Sequence, residues 1–216
     1  MPKSIAKKGF SLVELIVVIA VISLLGILSV ASLSELNRRG DISYAINNIE
    51  SVIENSKQVA QSKGAYVYIA FFADDDKPLQ IVAFESTSKS NILNNLVHDS
   101  SNMRNLSLPS EDAKFLSKPI AIDNITISDV NAKHDELITR PHSGSSIQEQ
   151  SLNVKYQGRE TSSLVTIRSD GRLKFPEAGS GILEFAIIDT RSEDFTKAAV
   201  VQISLPSGTV STYRVE

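Results

Sequence analysis

The chain has 216 residues, 22 basic and 25 acidic, for a net charge of −3, and no cysteine. That length suits one apolar helix followed by a single domain of ordinary size. The slight acidity argues against a general nucleic-acid-binding surface, and the lack of cysteine excludes disulfides, a lipid-modified cysteine and thiolate metal sites.

The first nine residues hold Lys3, Lys7 and Lys8 and no acid. From Phe10 to Val30 the side chains are almost all apolar, relieved by Ser11, Glu14, Ser23, Gly26 and Ser29. A run of about 20 such residues is what crosses a bilayer core as a helix, so a membrane span is predicted over 10–30. Lysines before it predict a cytoplasmic leader, by the positive-inside rule, with everything after the span outside the inner membrane. Glu14 is the anomaly. A carboxylate inside a membrane helix costs roughly 2.5 kcal/mol or more, which predicts a partner and a role; the plainer reading is a side chain reaching headgroup water near the helix end. Ser29-Val30-Ala31 before Ser32 also fits an ordinary secretory cleavage site, although the run is long for such a signal, which has no need of Gly9 before Phe10 or of Glu14.

The stretch Lys7-Lys8-Gly9-Phe10-Ser11-Leu12-Val13-Glu14 resembles the type III signal of type IV pilins and type II secretion pseudopilins. The resemblance implies that a membrane prepilin peptidase cuts after Gly9 and methylates the new N-terminal amine of Phe10. Lys7 and Lys8 are then leader charge, and Glu14 belongs to the mature helix. Removing the three leader lysines from a net charge of −3 leaves −6. In that family the glutamate is held to neutralise the amine of a neighbouring subunit; four residues apart on one helix face, an intrachain pair is equally open. The implied partners are the prepilin peptidase, other pilins or pseudopilins, the inner-membrane assembly platform and the membrane, with no cofactor and no nucleic acid expected.

Beyond Val30, Ile42, Ala45, Ile46, Ile49, Val52, Ile53, Val59 and Ala60 recur at spacings of three and four, predicting that 31–63 is the amphipathic half of the same helix. Gly40 costs about 1 kcal/mol in a helix interior, and Asp41 could cap a new start, so this is its weak point. Gly64 is the expected C-cap. A hairpin should follow, with strands over 65–72 and 79–84 around a turn at 73–78. Asp74-Asp75-Asp76 lacks the spaced ligands, glycine and distal glutamate of a calcium loop and reads as a solvated turn.

Residues 86–151 read as a long loop region, with a short helix within 91–103 and one strand over 120–127. His98, His134 and His142 fall there in no metal spacing and are expected to be exposed. No Gly-x-Ser-x-Gly elbow accompanies the serines, so nothing points to a hydrolase. Strong β character returns over 152–156, 163–168, 172–175, 182–188, 197–205 and 209–215, with tight turns at Ser169-Asp170-Gly171 and Pro206-Ser207-Gly208, which predicts an antiparallel sheet or sandwich.

The helix end and strand at Val59 to Val67, the stretch Val165 to Leu173, and Val200 to Ser204 with the turn at Gly208 resemble the GspH/FimT branch of minor pseudopilins. Two departures from many pilins are visible: no proline in the apolar helix and no C-terminal disulfide. DNA-binding members of that branch use C-terminal arginines, whereas Arg214 stands almost alone here beside Glu216. The expectation is therefore an α+β, pilin-like protein: a leader over 1–9, a long N-terminal α-helix spanning the membrane over 10–30 and amphipathic over 31–63, and a β-rich domain over 64–216. It would be a non-enzymatic minor pilin or pseudopilin, single-pass in the inner membrane with a periplasmic domain, assembled into a periplasmic or extracellular filament for protein export. A DNA-uptake minor pilin and a signal-anchored exported protein of unrelated function are the alternatives.

Overall fold

The computed structural model describes residues 12–74, 77–92, 104–128, 130, 145–146, 152–161, 163–174, 181–191, 198–205 and 207–214, and no side chains over 24–39. The predicted short helix within 91–103, beyond Ile92, lies outside them. Two compact units divide the chain, Met1–Gly40 and Asp41–Glu216. The division falls at the predicted weak point, although helix α1 (Leu12–Lys63) is continuous in its hydrogen bonding across Gly40.

In the first unit, every described side chain from Leu12 to Ser23 is exposed. Leu15, Ile16, Val17, Val18 and Ile19 are consecutive and each at least 46% exposed, so this stretch is apolar on every side. A helix with no polar face has no orientation that satisfies it in water. Ser23 removes its own polar group from the balance by donating its hydroxyl to the carbonyl of Ile19 (2.8 Å). Among the described residues, no helix is long and apolar enough to cross a membrane. The predicted span over 10–30 is thus not carried by the structure: Phe10 and Ser11 lie outside the described residues, and the side chains that are described end at Ser23.

In the second unit the stripe Ile42, Ala45, Ile46, Ile49, Val52, Ile53 and Ala60 is buried against the sheets. The helix stops where Gly64 turns into the left-handed region (φ +61°) and the N–H of Ala65 reaches back to the carbonyl of Ala60 (3.2 Å). That bond is the reversed terminal bond of a glycine-capped helix.

Fourteen strands are described, in chain order: β1 (Val67–Phe72), β2 (Leu79–Ser86), β3 (Arg104–Leu108), β4 (Ala113–Phe115), β5 (Ile120–Ile122), β6 (Ile125–Ser128), β7 (Ser145–Ser146), β8 (Leu152–Tyr156), β9 (Arg159–Glu160), β10 (Ser163–Ile167), β11 (Leu173–Lys174), β12 (Ile182–Asp189), β13 (Ala198–Ser204) and β14 (Val210–Arg214). The first sheet runs β11-β10-β1-β2-β4, with β5 also on β2; the second runs β14-β13-β12-β6, with β7 also on β12; the third is β3-β8-β9. One face of each of the first two sheets meets α1 in the main core, where Phe71 and Phe185 approach to 5.8 Å between ring centroids. The opposite face of the first sheet carries Tyr68, Val82, Phe84 and Leu164 beneath Leu106, Leu108 and Val154 of the third. Burial on both faces explains why β1 reads as a continuous apolar run rather than an alternating one, and why β10 and β12 are mostly apolar.

Three expectations need correction. The strand predicted over 120–127 is two strands in different sheets, parted by a turn in which Asn124 is left-handed (φ 60°). Asparagine tolerates that conformation, so the apolar alternation concealed a sheet change. The loop region over 86–151 contains β3 to β7. Pairing is not wholly antiparallel either, since β3 with β8 and β7 with β12 are parallel.

Ser56 lies in the buried stripe of α1 with its hydroxyl unpartnered. A buried hydroxyl without a hydrogen bond costs about 1 to 3 kcal/mol, and alanine is the better helix former. Ser56→Ala is therefore expected to stabilise the protein by about 1 kcal/mol and raise its melting temperature by about 2 to 4 °C. A scanning calorimetry trace in which the variant melts below the parent would mean that the hydroxyl is bonded.

Candidate functional site

Glu14 lies in the first turn of α1, as the only acid there. The helix N-terminus carries a partial positive charge, so a carboxylate is favoured at this place whatever else it does. Its neighbours Leu12, Val13, Leu15 and Ile16 are 75, 68, 55 and 57% exposed. The carboxylate is thus the one acidic group on a helix end surrounded by uncovered apolar side chains. Lys7, Lys8, Gly9 and Phe10 lie outside the described residues, so no distance from the Phe10 nitrogen to Glu14 enters the geometry.

Residues 5–30 match the prokaryotic N-terminal methylation motif. The match takes in Lys7, Lys8, Gly9, Phe10 and Glu14 together with the whole predicted span. It covers 26 of 216 residues and so speaks for the signal and not for the β-rich domain. No curated protein and no solved structure matches the chain. The motif is that of type IV pilin-like proteins, implies processing by prepilin peptidase and assembly with other pilins, and suggests a membrane-anchored exported protein.

Elsewhere several polar groups hold the fold. His98, His134 and His142 lie outside the described residues, and among those described no group of three His, Cys, Asp or Glu is placed to hold a metal. Asp74 is more than part of a solvated turn: its carboxylate accepts from Arg159 Nε at 2.9 Å and pairs with Lys77 at 3.3 Å. Asp75 and Asp76 lie outside the described residues. Arg214 donates to the hydroxyl of Ser43 on α1 (2.9 Å).

Three buried polar arrangements were not legible beforehand. Arg159 is 8% exposed and donates to the carbonyls of Phe72 (2.7 Å) and Pro78 (3.0 Å) besides Asp74. Arg191 grips the fully buried Asp189 through Nε (2.9 Å) and Nη2 (2.7 Å) and reaches Asp41 on α1 at 2.6 Å. The hydrogen bonds that Arg191 donates to the Asp189 carboxylate raise the guanidinium's pKa further above its ordinary value, so Arg191 is a permanent cation. Burial pushes the Tyr68 phenol well above the usual range; its oxygen accepts from the N–H of Ile92 (2.8 Å) while its proton goes to Asn91 (2.9 Å). Each ties sequence-distant segments together, and none lines a cleft with convergent reactive groups.

Proposed function

We propose that this chain is a minor pilin or pseudopilin, cleaved after Gly9 and methylated at Phe10, and assembled through its N-terminal helix into a type II secretion pseudopilus or a type IV pilus-like filament. The observation that carries the reading is the methylation motif over 5–30, a range that includes Gly9, Phe10 and Glu14. An apolar surface on every side of α1 from Leu15 to Ile22 supports it, since such a helix must be covered by lipid or by other helices. Before assembly, residues 10–30 would anchor the subunit in the inner membrane, with the leader in the cytoplasm and the β-rich domain in the periplasm. The GspH/FimT branch is the nearest pattern for that domain, on the strength of the stretches at 59–67, 165–173 and 200–208. The subunit is then a substrate of the peptidase and not itself an enzyme.

The mature protein is expected to begin at Phe10 with a methylated amine. Intact mass and N-terminal sequencing of protein from a host bearing the cognate peptidase decide it. A chain beginning at Ser32 would establish ordinary secretory processing instead.

A further inference from the structure

The hairpin of β10 and β11 carries an arrangement of charge that the fold does not need. Arg168 and Arg172 face each other across it, with Arg168 N–H on the carbonyl of Arg172 at 2.8 Å, and Lys174 lies two residues on in β11. All three are exposed. Like charges directly opposite on a strand pair are destabilising. Among the described residues Asp170, itself exposed, lies 3.9 Å from Arg168, Glu54 is taken up by Lys57, and no acidic side chain pairs with Arg172 or Lys174. A concentration of positive charge in a chain of net charge −3 is a local reversal of the whole molecule's sign.

These three cations, with Leu173 and Leu205, line a cleft of about 490 Å³. Its walls are fixed. Leu173 N–H bonds the carbonyl of Leu205 (3.3 Å), joining the edge of the first sheet to the end of β13. Lys57 on α1 donates to the carbonyl of Ser207 (2.9 Å), and Gln61 to that of Asp170 (3.4 Å). Gly171 is left-handed (φ +80°), a conformation that other residues rarely adopt, and its turn sits against the flexible Gln61 side chain. Both turns beside the cleft are thus pinned to the helix, and the cations are presented on a backbone already in place.

We propose that this cleft binds an acidic peptide segment of a partner protein, with carboxylates on Arg168, Arg172 and Lys174, while Leu173 and Leu205 stay buried in the core behind it. The guanidinium fork matches a carboxylate with two parallel hydrogen bonds, which favours arginine where planar anions are recognised. The net negative charge of the chain opposes a long polyanion lying across the surface and leaves a short acidic segment as the ligand that fits. The inference stands on the hairpin alone and holds whichever filament the N-terminal segment serves.

The test uses the full-length chain in nonionic detergent and a fluorescent peptide of alternating glutamate and leucine, followed by anisotropy. The parent should bind in the micromolar range and lose affinity as salt rises, because exposed charges are screened beyond about 8 Å at physiological ionic strength. The double variant Arg172→Ala, Lys174→Ala should bind about tenfold more weakly or worse. It should also melt no lower than the parent, since it removes like-charge repulsion, whereas residues with a merely structural role would lower the melting temperature. Should the double variant fold poorly, Lys174→Gln alone decides by the same two readings. Undiminished binding by the variant, no binding by the parent, equal binding of a lysine-leucine peptide, or tighter binding of duplex DNA than of the peptide would each overturn the proposal.

Discussion

Replacing Arg159 by methionine is expected to lower the melting temperature by about 5 to 10 °C, from a loss of about 2 to 3 kcal/mol. Methionine keeps the aliphatic bulk, so the loss isolates the guanidinium. That group holds the two ends of the β1 to β2 connection at once, through the carbonyls of Phe72 and Pro78 and the carboxylate of Asp74. Breaking a fully buried ion pair costs about 3 to 5 kcal/mol. Here Asp74 is 37% exposed and regains water when its partner goes, which sets the expected figure below that range. Arg159→Lys should recover only part of the stability, because one ammonium cannot reproduce a planar fork aimed at separate acceptors. Asp74→Asn should cost less than Arg159→Met, since both carbonyl bonds survive. Calorimetry of the full-length chain in detergent gives all three values, and a parent-like melt for Arg159→Met would mean that the clamp contributes nothing.

What was legible in the sequence divides along a physical line. The C-terminal hairpins could be read because each signal was local: a left-handed glycine at 171 or 208 between two β-branched runs fixes both the turn and the pairing of its flanks. The helix cap at Gly64 and the buried stripe from Ile42 to Ala60 are local in the same sense. Arg159 was not legible, because it follows Gly158 with no pattern around it and its acceptors are about 80 residues earlier. Likewise β3 offers only Leu106 and Leu108 as apolar residues, and its partner β8 is parallel and distant in the chain, so neither composition nor turn chemistry announces it. Ile120 to Ile127 misled for the opposite reason. The alternation there is real, but a period of two does not say which sheet each half joins. At the N-terminal site the position reversed: the spacing of Gly9, Phe10 and Glu14 was fully readable, while Gly9 and Phe10 lie outside the described residues.

Glu14→Leu is expected to leave leader cleavage and membrane insertion intact while reducing filament incorporation to a small fraction of the parent level. On the proposed processing the peptidase signal would lie before the cut, in Lys7, Lys8 and Gly9, and the substitution only makes residues 10–30 more apolar, so the earlier steps have no cause to fail. Assembly differs. Cleavage after Gly9, as proposed, would create a cationic amine at Phe10, and packing α1 among other helices would take that charge out of water. With the glutamate present the amine meets an opposite charge; with leucine it does not, and leaving one member of a buried pair alone costs about 3 to 5 kcal/mol. A difference of that size is a factor of about 10² to 10³ or more in an equilibrium. Glu14→Asp keeps the charge on a shorter arm and should incorporate at an intermediate level, which separates a requirement for charge from one for size. Parent and variants would be expressed with the cognate machine, processing confirmed by gel shift, and the protein in sheared filaments quantified. Equal incorporation of Glu14→Leu and parent would reject charge pairing and reduce Glu14 to a carboxylate that favours the positive end of its own helix.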